Sequence, residues 1–253
     1  VTENIIVENH QELAAVIVEP VLGAAGMIPP ETGFLEMLRA TADKYGILLI
    51  FDEVLTFRLS KGGCQGLYSI VPDLTALGKM IGGGFPVGAL AGSNELLKHF
   101  VPETPGFFGH SGTFNGNPVT MTAGLATLGE LTTAEIERIN HLGKKMRVGL
   151  RQILDQLAIS ARVTGAGSLA QVHFTRSDVR DWRSAATANV ELRTIFHLLL
   201  MENGIFTATR TFFNISTPMS QIEVSKLIDA ARNALTQLRP FIEHLAPELL
   251  ADG

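Results

Sequence analysis

An apolar run, a helical pattern and a second apolar run that ends on a carboxylate constrain this chain more than any other feature. Ala14 to Glu19 (AAVIVE) is short, β-branched and stopped by Pro20, which predicts a strand buried on both faces. The stretch with Gly23, Gly26, Pro29 and Pro30 reads as a loop. Thr32 to Tyr45 then carries Phe34, Leu35, Leu38 and Ala42 at helical spacing, with Gly46 as the stop. Ile47 to Phe51 is again a strand, and it runs straight into Asp52-Glu53. Strand, helix and strand at this spacing predict a βαβ unit and a parallel sheet, so the fold class is α/β. Ligands of such sheets sit beyond the carboxyl ends of the strands, where Asp52 lies.

A second position of that kind follows. Leu74 to Leu77 predicts a strand that delivers Lys79 just past its end, ahead of Gly82-Gly83-Gly84. Its apolar neighbours Leu74, Leu77, Met80 and Ile81 predict little solvent for a side chain that is costly to bury unpaired. Two readings stand: a lysine lowered in pKa by its surroundings that forms a Schiff base, or an ordinary lysine on a glycine-rich loop tip. Asp52 shifts the balance. A pyridoxal phosphate bound to lysine needs an acidic partner on its ring nitrogen, and two strand ends of one parallel sheet can face one crevice. The cofactor phosphate needs N–H groups and hydroxyls, and Ser111-Gly112-Thr113 precedes a helix start at Asn117-Pro118.

The rest of the chain predicts a strand over 87–91, a short helix over 94–100, a helix from Pro118 through Met121, Leu125 and Leu128, and a long helix over 134–157. Beyond it come strands over 163–174 and 205–215, separated by a helix over 188–203, and a last helix over 221–245. Residues 1–133 are expected to form part of a cofactor-binding domain, 134–157 a connecting helix, and 158–253 a small α+β domain. Gly165-Ala166-Gly167-Ser168-Leu169-Ala170 matches a dinucleotide fingerprint, but the alternating Gln171-Val172-His173-Phe174 follows where a helix is required, so it reads as a turn. The seven histidines make no ligand-spaced pair, and no metal is expected.

Hydrophobic residues are 46% of the 253, and the formal net charge is −5. Such a chain can bury a large core or form subunit interfaces, and it is ill suited to nucleic acid or an anionic membrane. Cys64 is the one cysteine, which points to a reducing compartment and to the cytoplasm. The start, Val1-Thr2-Glu3-Asn4, lacks both an initiator methionine and a signal-peptide pattern, so a fragment or processed form is expected.

Ile50-Phe51-Asp52-Glu53-Val54, Pro72-Asp73-Leu74-Thr75-Ala76-Leu77-Gly78-Lys79-Met80-Ile81-Gly82-Gly83-Gly84 and Gly112-Thr113-Phe114-Asn115-Gly116-Asn117-Pro118 together resemble the class III aminotransferases. Within them the chain is similar to the branch of glutamate-1-semialdehyde aminomutases and β-amino acid (β-phenylalanine type) aminotransferases. The resemblance implies part of a fold-type-I large domain with pyridoxal 5'-phosphate as cofactor. Lys79 would be the Schiff-base lysine and proton shuttle, Asp52 the ring-nitrogen partner and Val54 a residue packed on the ring. Ser111, Gly112 and Thr113 would serve the phosphate, with Thr113 reaching the neighbouring subunit's cofactor in a homodimer. Leu55 is similar to the aminomutase branch, whereas His110 to Asn115, Thr164 to Leu169 and Arg210 resemble the β-amino acid aminotransferases. Arg210 stands either as the guanidinium that binds a substrate carboxylate or as an ordinary exposed arginine. The implied reaction is transamination between a β-amino acid or similar amine and a keto acid. A 2,1-aminomutase and a catalytically impaired fragment are the alternatives. The family also carries a long portion ahead of Val1, which a separate polypeptide could supply.

Overall fold

The computed structural model describes residues 1–250. Ala15–Val18 (β1), Leu48–Asp52 (β2) and Leu74–Gly78 (β3) pair in parallel, and Gly88–Gly92 (β4) closes the sheet antiparallel to β3. This first unit comprises Val1–Pro20 and Glu31–Ile136, and the second comprises Val21–Pro30 and the chain from Glu137 onward. The stretch 21–30 therefore groups with the later half of the sequence.

Helix α1 (Thr2–Asn9) and the sheet sandwich the middle helix of the βαβ unit. The one-turn α2 (Gly23–Gly26) belongs to the second unit, and α3 (Phe34–Tyr45) connects β1 to β2. α3 turns Leu35, Leu38 and Ala42 inward against Ile6, Leu49 and Phe51, as its apolar spacing requires. It stops at Gly46, whose φ of 67° is the left-handed conformation that glycine adopts without penalty. β1 departs from expectation. Ile17 is 63% exposed, so the strand is not buried on both faces; by strand order it is also an edge of the sheet.

Glu53, the residue after β2, is fully buried. Its carboxylate accepts from Thr56 Oγ1 at 3.0 Å, from the Cys64 N–H at 2.6 Å and from the Gln65 N–H at 3.0 Å. The last two are first-turn donors of α4 (Gly63–Tyr68), which would otherwise lack partners. Gly63 makes room for it: its φ is 68°, and a Cβ there would lie 2.6 Å from Glu53 Oε1. Burial and the Glu53 charge push the Cys64 thiol up to about 12, which leaves it unreactive near neutrality.

After α5 (Asn94–Leu97), α6 (Pro118–Glu130) begins as predicted, with Asn117 Oδ1 accepting from the N–H groups of Val119 and Thr120 and Pro118 in the first turn. Its apolar residues are less buried than a core helix requires, since Met121 is 45% and Leu125 75% exposed.

α7 (Thr133–Gln156) buries Ile139, Leu142, Met146, Leu150 and Ile153 as a continuous stripe. In the second unit, β5 (Arg162–Thr164) and β6 (Leu169–His173) are two arms of an antiparallel hairpin, so 163–174 is not one strand. The Gly165-Ala166-Gly167 pattern makes the hairpin turn, with φ of 141° and 49° at its glycines. α8 (Trp182–Ala185), α9 (Val190–Glu202), β7 (Phe212–Asn214) and α10 (Gln221–Leu245) complete the order, β7 pairing with β6. Of 205–215 only those three residues are strand. The His197 ring bonds to the Thr207 hydroxyl at 3.0 Å, and Thr211 turns at φ 55°, which ends extension before Phe212. Among the described residues, no helix is long and apolar enough to cross a membrane, and no cluster of histidine, cysteine and carboxylate residues could hold a metal.

Replacing Glu53 with Ala strands three buried donors, so stability should fall by about 3 kcal/mol. The shift of the urea midpoint measures it, and an unchanged midpoint would show that something else holds α4.

Candidate active site

Parallel pairing puts Asp52 opposite Ala76, so β2 ends two residues before β3 does. Lys79 is the first residue past β3 and opens a 3-10 turn over Lys79–Gly82. The predicted pair of strand ends is therefore present, on the two central strands and at their carboxyl ends. Asp52 is half-buried, and its Oδ1 accepts from the Val54 N–H at 3.0 Å. That local turn fixes one carboxylate oxygen and leaves the second for another donor. Val54 packs against the same place, because its methyl groups would lie 3.5 Å from a Cβ added to Gly78.

Lys79 adopts φ 49°, a left-handed conformation that costs a non-glycine residue about 1–2 kcal/mol. Such strain persists only where surrounding structure overdetermines it, and it concentrates at functional sites. Here the constraint comes from α6. A Cβ on Gly124 would collide with the Ile81 carbonyl, and one on Gly83 with the Ala123 carbonyl. The turn that follows Lys79 thus lies backbone to backbone on α6, and its path is set from outside. The solvent expectation for Lys79 is corrected: the residue is exposed. Its apolar neighbours Leu74, Leu77, Met80 and Ile81 are only half-buried, and Gly84, Phe85 and Pro86 after them are exposed too.

Ser111, Gly112 and Thr113 lie in an exposed turn of the same unit, just ahead of α6, with the Asn115 N–H donating to the Gly112 carbonyl at 3.0 Å. Arg210 belongs to the second unit. It is exposed and donates from Nη1 to the Ala24 carbonyl at 2.9 Å. The donor set fits a phosphorylated pyridine aldehyde: a primary amine in a strained, accessible position, a half-anchored carboxylate on the neighbouring strand, and exposed hydroxyls before a capped helix.

Sequence reasoning missed Glu53 and the open groove of the first unit lined by Leu77, Ile81, Val87, Phe114, Met121 and Leu125. The α6 residues of that groove were visible as apolar spacing, but spacing does not say whether a face meets its own chain.

The α/β unit therefore carries a lysine and an aspartate just at the ends of two adjacent parallel strands. The family description Aminotransferase class-III matches residues 1–214, and the chain belongs to that family. A glutamate-1-semialdehyde 2,1-aminomutase of Methanosphaera stadtmanae is 41% identical over 239 residues, covering 93% of this chain and 56% of that protein. An omega-transaminase structure from Sphaerobacter thermophilus matches with a TM-score of 0.90 and 42% identity, covering 94% of this chain and 55% of the other. A β-phenylalanine aminotransferase from Variovorax paradoxus matches with a TM-score of 0.88 and 33% identity, covering 100% and 57%. Another matching transaminase structure has PLP bound. The chain spans about half the length of the curated relatives it matches.

If outside packing imposes the Lys79 strain, Lys79→Gly should raise stability by about 0.5–1 kcal/mol even as it removes the amine. Urea unfolding reads this, and a loss of stability would mean that the lysine side chain itself holds the turn.

Proposed function

We propose that this chain supplies the lysine and aspartate of a pyridoxal-phosphate-dependent aminotransferase acting on a β-amino acid or similar amine, with a keto acid as acceptor. The observation that carries the reading is Lys79, strained and accessible at the end of β3, beside the Asp52 end of β2. Bound there, the cofactor supplies an electron sink for a carbanion at the substrate carbon. Lys79 Nζ is the amine that holds the cofactor through its aldehyde carbon and, once released, moves a proton to and from the substrate carbon. The Asp52 carboxylate, half-anchored by the Val54 N–H, keeps the ring nitrogen protonated through its second oxygen. Val54 supports the ring, and Ser111, Gly112 and Thr113 hold the phosphate. Arg210 takes the substrate carboxylate, for which a guanidinium offers a two-pronged fork.

The 41% identity to an aminomutase favours a second reading, in which the amino group moves within one substrate. Turnover that requires an added keto acid supports the transaminase, and turnover without one supports the mutase. For either, the protein is mixed with pyridoxal phosphate, reduced with borohydride and mapped by mass spectrometry. The label should fall on Lys79 and vanish in Lys79→Ala. A folded protein labelled elsewhere would end both readings. Asp52→Ala should retain the label while turnover falls about 10- to 100-fold, the value of a charged hydrogen bond.

The same reading includes a homodimer in which Thr113 serves the neighbouring cofactor. Phe114, Val119, Met121 and Leu125 are each at least 45% exposed on one stretch of the first unit, more apolar surface than a solvated face usually gathers. Leu125→Asp should convert a dimer into a monomer in light scattering, and an unchanged mass would place the interface elsewhere.

A further inference from the structure

The second unit carries a basic groove that the proposed reaction does not use. In sequence, the first unit has 14 acids against 6 lysines and arginines, and the second has 11 against 14. The positive charge of an acidic chain is thus gathered in one unit. Part of it lines a cavity of about 320 Å³ between α7 and α10. Lys144, Lys145 and Arg232 border that cavity, with His141 beside them, and none of its lining residues is acidic. A Cβ on Gly149 would lie 2.6 Å from Ile228 Cδ1, so the glycine lets α10 close on α7 at this level. Val148 next to it is 41% exposed, which leaves apolar surface among the cations.

The cations of α7 fall into two sets. Arg138 donates to the carbonyls of Thr217 and Met219, Arg147 to those of Gly167 and Leu169, and Arg151 to that of Val163. Those three staple the helix to its own unit. On the groove side, Lys145 Nζ donates to Gln221 Oε1 at 2.8 Å, and Arg232 Nη1 of α10 donates to Gln156 Oε1 at 2.7 Å. Both acceptors are neutral amides, so these cations are positioned without being neutralised. Among the described residues, Lys144, Lys145 and Arg232 pair with no carboxylate, and Asp229, three positions before Arg232, does not reach it. No acid stands four positions from any of the three along its helix. A solvated helix face usually interleaves the two signs, and gathering one sign lowers stability.

We infer that the groove between α7 and α10 docks an acidic amphipathic segment of another protein. An apolar side chain of that segment sits on Val148 and Ile228, and its carboxylates meet Lys144, Lys145 and Arg232. Charge complementarity selects the acid, and the exposed valine selects a peptide. A nucleic acid backbone brings no apolar side chain to that surface, and the acids of the first unit oppose a long polyanion. The cavity has room for a side chain or two, so the contact is with a segment and not with a broad domain face. The inference does not rest on the reaction proposed above.

The test is binding to the full chain, read by fluorescence anisotropy. The probe is a fluorescein-labelled amphipathic peptide of leucine and glutamate about 12 residues long, enough as a helix to reach from the level of Gln221 to that of Arg232. It should bind saturably and more weakly as salt rises, and its glutamine analogue should not bind. Lys144→Glu combined with Arg232→Glu should weaken the peptide at least about tenfold, and Val148→Ser about threefold. Circular dichroism checks that each variant is folded, and Arg232→Gln replaces Arg232→Glu if the double variant is not. Peptide affinity unchanged in these variants would overturn the site. Oligothymidylate binding as tightly as the peptide would overturn the peptide occupant in favour of a nucleic acid. A fall in mass by light scattering in the double variant would overturn it too, since the occupant would then be a second copy of this chain.

Discussion

The parallel register of β2 on β3 is the constraint on which the site depends. Asp52 faces Ala76 across the ladder, and the strand that ends later hands the chain to Lys79. Because side chains alternate along a strand, a slip of one residue would exchange Asp52 for Glu53 at the end of β2. Those neighbours have opposite fates. Asp52 is half-buried with one oxygen on a local N–H, whereas Glu53 is buried and satisfied by three donors. The buried acid secures the register, since a Glu53 moved out of its pocket would leave the start of α4 without acceptors.

The strain at Lys79 follows from the same end of the sheet. A chain leaving β3 has to turn sharply, and the glycines at 83 and 124 let the turn lie directly on the backbone of α6. Packing of that closeness has two consequences. It keeps a lysine in a conformation that it would not choose, and it couples the position of the amine to the helix that follows the Ser111-Gly112-Thr113 turn. The amine and the hydroxyls are thereby referred to one rigid element, although they are more than 30 positions apart in the chain.

Much of the first unit was legible because its signals are local and strong. The αL stop at Gly46, the Asn117-Pro118 helix start and the apolar strands running into Asp52 and Lys79 each depend on a few adjacent residues. What was not legible depended on distant partners. Ile17 looks like core in a run of AAVIVE, yet it lies on an exposed face of β1, and whether a face is covered is set by distant parts of the chain. The expected strand over 205–215 shrank to Phe212–Asn214: His197 ties up the Thr207 hydroxyl, and the chain turns between Ala208 and Thr211 just before Phe212. Lys79 itself was read as shielded from solvent by its apolar neighbours, but those neighbours are only half-buried and the lysine is exposed.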